Sequence, residues 1–265
     1  MTTAPGTPAY FERVGAAAFR ATEHVGGGWR EHEQHIAAAL GLSVHVVELD
    51  RDTRRDDGLV LGRLSFDILG TVPVDVVDAR VSVLRPGRTI ELVEACLAHD
   101  GRDFLRLRAW LLRPGDTAEL GGTPLPRIPS PEETPPWDVT SVWPGGLVAS
   151  LEVRRRQLEP GRASSWARTA TTLVAGEEVS ALAATAGLFD VANGMTVRAD
   201  PRDVAFPNID LTAHLFRVPQ RGWLGFDTSV SFGAQGIGLT SSVLHDELGP
   251  FGTLAQALTV RPHHG

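Results

Sequence analysis

The sequence has no lysine, so all 25 of its basic residues are arginines. Its 32 acidic residues leave a formal net charge of −7. This balance argues against nucleic acid as the main partner, because phosphate contacts require a basic surface. It still allows a nucleotide-like ligand that is held by a few local arginines.

Other absences bear on the compartment. The one cysteine, Cys96, excludes an internal disulfide and fits a reducing cytoplasm. It lies in the alternating run 91–98, so we interpret it as a packed strand thiol rather than a nucleophile. Apolar runs such as 145–151 are far shorter than the roughly 20 residues that span a membrane. The N-terminus lacks a basic segment followed by an apolar one, so we expect no signal peptide and a cytoplasmic protein without a membrane span.

Two stretches of alternating apolar and polar residues are separated by a segment rich in proline and glycine. Because proline is excluded from helix interiors and central strands, we predict a linker at residues 115–146. Strands are predicted near residues 59–69, 74–84, 88–99 and 102–113, and then near 147–158, 162–174, 208–218, 222–234, 237–247 and 251–261.

Each half also contains one alanine-rich segment, at residues 31–42 and 177–189, which predicts one helix per half. The halves match each other, since residues 101–114 and 249–262 both begin with a turn glycine and end in Arg-Pro. A repeat of this length indicates two domain-sized copies, at residues 1–114 and 147–265. The alternative is two unrelated β-rich domains that share common turns.

Several segments, taken in order, resemble the acyl-CoA thioesterase II family. They are Gly28-Trp29 with Glu33-Gln34-His35, then residues 66–74, 84–88, 206–215, 236–249 and 256–262. The resemblance implies an α+β double hotdog, in which two antiparallel sheet-plus-central-helix repeats form one continuous sheet. It also implies hydrolysis of acyl-CoA to a free fatty acid and coenzyme A, and assembly into a homo-oligomer, a dimer or larger.

In that family an aspartate, a hydroxyl and a glutamine activate and orient the hydrolytic water. The resemblance assigns these catalytic roles to Asp210, Ser231 and Gln256, with the spacing before Gln256 one residue shorter than usual. It follows that Asp210→Asn would remove most hydrolysis while the fold survives. A carboxylate accepts the proton of the water, while a hydroxyl and an amide hold the water in line.

The substrate is expected to contact the start of the first helix, through Gly28, Trp29, Gln34 and His35. The N-terminus of a helix offers backbone N–H groups to the thioester carbonyl oxygen. Relatives have small glycines directly after the position of His35, whereas this chain has Ile36, a departure that could narrow the site.

Two further substrate-binding candidates, Thr212 and His214, share one face of a predicted strand with Asp210, because their separations are even. That polar face either borders the site or simply faces solvent. By the offsets of the repeat, Asp210 corresponds to Leu64. Ser231 and Gln256 correspond likewise to Val83 and Arg108. We therefore predict one site per chain, built from second-half residues and the first-half helix start.

Neither a metal ion nor a cofactor is expected. Glu31, His32 and His35 lie close together, but no distal ligand set accompanies them. The sequence also lacks a P-loop lysine and a Gly-x-Ser-x-Gly elbow. Two other functions stay open: a non-catalytic protein that binds acyl chains or acyl-CoA, and an enoyl-CoA hydratase. Hydratases of this fold place aspartate and histidine in a loop-helix signature that is missing around Asp210.

Overall fold

The computed structural model describes residues 6–263, so the extreme N-terminal residues used for the signal-peptide expectation lie outside it. The first part of the chain forms β1 (Ala9–Arg13), β2 (Ala18–Ala21), α1 (Ile36–Arg54), β3 (Val60–Ile68), β4 (Val76–Arg85), β5 (Ile90–His99) and β6 (Arg102–Leu112). The second part forms α2 (Gly146–Ala149), β7 (Leu151–Glu159), β8 (Arg162–Thr169), β9 (Thr172–Val174), α3 (Ala181–Ala186), α4 (Val191–Met195), β10 (Val204–Ala205), β11 (Asp210–Leu215), β12 (Leu224–Phe232), β13 (Ile237–Asp246), β14 (Gly249–Thr259) and β15 (Arg261–Pro262).

The sheet order shows the duplication directly. Thirteen of the described strands form one sheet, in the order β7-β8-β12-β13-β14-β11-β3-β6-β5-β4-β2-β1-β9. Read outward from the centre, β3-β6-β5-β4-β2-β1 has the same connectivity as β11-β14-β13-β12-β8-β7. The two copies meet where β3 pairs antiparallel with β11. This arrangement confirms the predicted double hotdog and its single continuous sheet.

Alternation placed most of these strands within two residues of where they occur. It missed β1 and β2, which are short and hold only a few apolar residues each. Cys96 lies buried on β5, as a packed strand thiol, and burial raises its pKa.

The helices differ more from the prediction. The first helix runs from Ile36 to Arg54. It begins later than predicted because Gln34 forms an isolated bridge with Gly26, Glu33 forms one with Pro73, and His35 caps the helix. The second is two short helices, α3 and α4, that are broken between Gly187 and Asp190. Ser180 caps α3 by accepting a hydrogen bond from the backbone N–H of Ala183 at 2.9 Å.

The two copies pack against each other through α1 and α3. Ala37, Ala38 and Ala39 in the first turn of α1 are at most 1% exposed. Further along, Gly41 faces the backbone of α3: a Cβ there would lie 2.8 Å from the Ala183 oxygen and 2.9 Å from Gly187. Small side chains are therefore required for this close approach.

The division into residues 1–114, 115–146 and 147–265 stays a prediction. The proline-rich segment does contribute to the core, since Val139 and Trp143 are buried. In addition, β1 from the first part pairs in parallel with β9 from the second. Contacts between the copies are thus not confined to the central pair of strands.

Gly41→Ala should destabilise the protein by about 1–3 kcal/mol, the range for overpacking a well-packed core. At an exposed helix position the same change would stabilise by up to about 1 kcal/mol, so the sign itself is informative. Urea unfolding measures the effect. Gly115→Ala, at a site with no neighbouring atom within 4 Å, is the matched control and should leave stability unchanged. Equal stability of the two variants would contradict the close helix approach.

Candidate active site

A buried carboxylate, Asp190, lies at the break between α3 and α4. One of its oxygens, Oδ1, accepts hydrogen bonds from the Asn208 side-chain amide at 2.6 Å and from the Gln256 amide at 3.2 Å. The other oxygen, Oδ2, lies 3.6 Å from Nδ1 of His35. Asp190 makes no capping hydrogen bond to α4, so its carboxylate is available to this cluster.

His35 comes from the first copy and ties the start of α1 to this cluster. Its Nδ1 accepts a hydrogen bond from the backbone N–H of Ala37 at 3.2 Å, which makes it the N-cap of α1. Its own backbone N–H donates to the Val25 oxygen at 2.7 Å. The helix start, with its partial positive charge, is therefore held beside the carboxylate of the other copy.

Asn208 and Gln256 reach the cluster from adjacent strands. Asn208 lies just before β11 and forms an isolated bridge with Leu258 on β14. Gln256 lies on β14 and points to the buried side of the sheet, where it is 1% exposed. The β-ladder therefore sets where both amides stand, and both meet the same oxygen of Asp190.

Burial has the largest effect on the pKa values of Asp190 and His35. Loss of hydration raises the pKa of Asp190, and the nearby His35 and the two amide donors oppose that rise only in part. Loss of hydration likewise lowers the pKa of His35, against the opposing charge of Asp190. The result is a neutral imidazole beside a carboxylate that is more basic than an aspartate in water.

Two buried amide oxygens in this region have no hydrogen-bond partner among the described residues. They are Oε1 of Gln256 and Oε1 of Gln34, whose Nε2 donates to the Pro73 oxygen at 2.8 Å. A buried acceptor without a donor is unfavourable by roughly 1–3 kcal/mol. Both oxygens are therefore suited to accept hydrogen bonds from a bound water or ligand.

Two cavities meet at the cluster, and both are lined by Gly28, Trp29, His35, Asp190 and Asn208. The larger, a cleft of about 390 Å³, also reaches Ile36, Arg30 and Arg261. The smaller, of about 60 Å³, is otherwise mainly apolar. Asp190 thus stands where the larger cleft and the smaller recess meet.

The structure brings five of the nine predicted site residues to this region. Gln256 contacts Asp190, and the other four line the cleft: Gly28, Trp29, Gln34 and His35. The predicted composition, second-copy residues beside the first-copy helix start, matches this geometry.

Ser231 lies elsewhere. Along β12, β13 and β14, Val230 is opposite Thr240, and Thr240 is opposite Gln256. Directly opposite residues share a face of the sheet, so Ser231, opposite Leu239, lies on the other face, where it is exposed. The expectation that Ser231 and Gln256 point at one water does not match this register.

Asp210 and its neighbours on β11 also point away from the cluster. Leu211 and Ala213 are fully buried, which turns the intervening side chains outward. The Asp210 carboxylate accepts a hydrogen bond from the Ala257 backbone N–H at 2.6 Å. Thr212 lies 3.1 Å from the Ser65 hydroxyl, and His214 is exposed. Of the two readings of this polar face, the geometry therefore favours the one that faces solvent.

Sequence reasoning missed Asp190 and Asn208. Asp190 directly follows the helix predicted at residues 177–189, and a carboxylate between the buried Phe189 and Val191 is a usable signal. Asn208 lies in the same short motif as Asp210. The sequence alone does not show which of these two side chains points into the site, because that depends on the strand register.

Comparison with known proteins agrees with this fold. A family model described as the acyl-CoA thioesterase N-terminal domain matches residues 26–112, and its C-terminal counterpart matches residues 125–260. The double hotdog sheet and these matches define the class, and the chain belongs to the acyl-CoA thioesterase family. It is accordingly a thioesterase enzyme. No curated protein sequence matches the chain.

Solved structures share the fold at low identity. A protein of Novosphingobium aromaticivorans described as a thioesterase has a TM-score of 0.72 and 21% identity, over 94% of this chain and 98% of its own. The tesB protein of Mycobacterium avium subsp. paratuberculosis has a TM-score of 0.68 and 19% identity, over 95% and 96%. Acyl-CoA thioesterase II TesB2 from Mycobacterium marinum has a TM-score of 0.67 and 13% identity, over 96% and 97%.

Two further observations concern the described residues alone. None of their helices is long and apolar enough to cross a membrane. Nor do residues 6–263 contain a group of three or more His, Cys, Asp and Glu side chains with the geometry to hold a metal ion.

Asp190→Asn should stabilise the protein at pH 7.5. Because the folded-state pKa of Asp190 is raised, the folded state holds the proton more tightly, and stability falls as pH rises from the unfolded value through the folded one. Asparagine does not ionise, so the variant does not lose stability as pH rises, and its side chain has the same shape as aspartate. Urea unfolding should show the gain at pH 7.5, and the gain should shrink as pH falls toward the ordinary aspartate pKa of 3.8 and disappear below it. A variant less stable than wild type at pH 7.5 would contradict the raised pKa.

Proposed function

We propose that the cluster around Asp190 hydrolyses acyl-CoA thioesters, with Asp190 as the general base that activates water. The observation that carries the proposal is the difference between the surroundings of the two oxygens of this carboxylate. Oδ1 accepts hydrogen bonds from the amides of Asn208 and Gln256, while Oδ2 has no amide donor and lies 3.6 Å from Nδ1 of His35, and the residue lines both cavities. A base with a raised pKa accepts a proton from water more readily at neutral pH.

In the proposed step, a water bound to Oδ2 gives up its proton to Asp190 as its oxygen adds to the thioester carbonyl. The resulting tetrahedral oxyanion collapses, the carbon–sulfur bond breaks, and the thiolate of coenzyme A leaves. Asp190 returns its proton to that thiolate, so the carboxylate is regenerated and the products are a carboxylic acid and a thiol. The unpartnered Oε1 of Gln256 is suited to accept the second hydrogen of the water.

The oxyanion is assigned to the first turn of α1. Backbone N–H groups in the first turn of a helix have no partner within the helix, and the dipole adds positive potential. The start of this helix borders the cleft through His35 and Ile36. Removing one donor from such a site typically lowers kcat about 10²–10³-fold, so this contribution is comparable with that of the base.

The two cavities suit the two ends of the substrate. The apolar recess fits the acyl chain, while the open cleft fits the pantetheine arm and has Arg30 and Arg261 on its lining. Guanidinium groups are well suited to phosphate oxygens, although Arg30 also pairs with Glu33 at 3.3 Å. Ile36, in place of a smaller residue, narrows the cleft that it lines.

We also propose that the enzyme acts in the cytoplasm on fatty acyl thioesters and assembles into a dimer or a larger oligomer. The reduced Cys96 supports the compartment. The assembly rests on the resemblance alone, and sedimentation of the purified chain tests it.

Asp190→Asn should lower kcat by about 10²–10⁴-fold, the usual contribution of a general base, while substrate binding is largely kept. Release of free thiol from a series of acyl-CoA substrates measures turnover, and calorimetry measures binding. The matched control is Asp210→Asn, which removes a carboxylate from the outer face of β11 and should change kcat less than threefold. If Asp210→Asn abolished turnover and Asp190→Asn did not, the assignment first made from the sequence would be correct instead.

Gln256→Met should move the acid limb of kcat/KM to higher pH. Activity requires ionised Asp190, so kcat/KM rises as pH increases through the pKa of that residue. Methionine keeps the shape of glutamine but removes a donor to Oδ1, and a lost donor to the charged form raises the pKa further. A pH profile of kcat/KM for both proteins measures the shift. An unchanged or lowered midpoint would contradict the role of the amide.

A further inference from the structure

The recess behind Asp190 is small and mainly apolar. Apart from the residues that it shares with the cleft, its walls are mainly Val139, Trp143, Val148, Leu151, Val191 and Met195. All of them except Leu151 are at most 7% exposed. This recess begins at the proposed base, so the chain that enters it is the acyl chain of the substrate.

Trp143 forms a wall of this recess and is fixed in place. Its indole nitrogen donates a hydrogen bond to the Gly194 oxygen at 2.8 Å. The ring also packs edge-on against Trp29 and Phe206, at centroid distances of 5.0 and 5.9 Å. A Cβ at position 194 would lie 3.2 Å from the indole nitrogen, so glycine leaves the ring room to sit close to α4.

The size of the recess sets a limit on the acyl chain. It offers about 60 Å³ of room for the centres of water-sized groups. The cleft on the other side of Asp190 is several times larger, at about 390 Å³. A fixed indole cannot swing aside to lengthen the recess, because that would break the hydrogen bond to Gly194 and the contacts with two other rings.

We propose that Trp143 is the specificity-determining residue of this enzyme and restricts it to short acyl thioesters. This inference rests on the proposed hydrolysis. Each further methylene that a recess accepts or rejects changes kcat/KM by about tenfold or more, so a fixed wall produces a sharp cut-off.

The test is kcat/KM for saturated acyl-CoA from two to sixteen carbons, measured by thiol release. Wild type should be most active on chains shorter than ten carbons and at least tenfold weaker at ten. Trp143→Ala should raise kcat/KM at ten carbons at least tenfold relative to four carbons. Leu151→Ala, which enlarges the recess from another wall, should shift the optimum in the same direction and serves if the tryptophan variant fails to fold.

Trp137→Ala is the matched control, because Trp137 stacks with Arg155 at 4.2 Å and does not line the recess. It should keep the wild-type profile. A wild-type optimum at ten or more carbons, or an unchanged optimum in both recess variants, would overturn the role of Trp143 and leave the hydrolysis intact. No thiol release by wild type from any chain length would instead overturn the proposed hydrolysis.

Discussion

The structure of the site depends on one buried carboxylate that is solvated by protein groups from both copies of the duplication. Asp190 lies between the buried Phe189 and Val191, so water does little to stabilise its charge. Two amides of the second copy and the positive end of α1 from the first copy, where His35 is the N-cap, take over that role. The site is therefore complete only when α1 of the first copy is packed against the second, and the small residues at the α1–α3 contact make that packing possible.

The duplication also explains why one site suffices. By the offset that pairs Asp210 with Leu64, Asp190 corresponds to Val44, which is fully buried in α1. The first copy thus has an apolar residue where the second copy has its carboxylate. One copy retains the chemistry, while the other supplies the helix start.

Much of the fold could be predicted because strand alternation and the Arg-Pro repeat are local signals in the sequence, and the strands that they indicate are present in the sheet. The helices were harder, since residues 31–34 include good helix formers but lie in a segment held by isolated bridges that form only in the folded chain. The choice between Asp190 and Asp210 was beyond a single sequence. Both carboxylates lie near Gln256, and only the register, which turns Asp210 toward the backbone of Ala257, separates them.

The apolar face of β11 suggested that its opposite, polar face borders a site. The same alternation of apolar and polar residues is also expected of any strand with one side in solvent. Asp190 shows the opposite pattern, because it is a charged residue within an apolar segment. Charged residues are rarely fully buried unless other groups pair with them. Perturbed ionisation in a cavity is thus the better indicator of chemistry here than exposure or strand position.

The central claim concerns where the reacting water binds, and a crystal structure with a non-hydrolysable short acyl-CoA analogue tests it most directly. The account predicts an ordered water within hydrogen-bond distance of Asp190 Oδ2 and Gln256 Oε1, beside the analogue's carbonyl carbon, with the acyl chain ending against Trp143. A carbonyl group bound on the outer face of the sheet, next to Asp210 and Ser231, would contradict it.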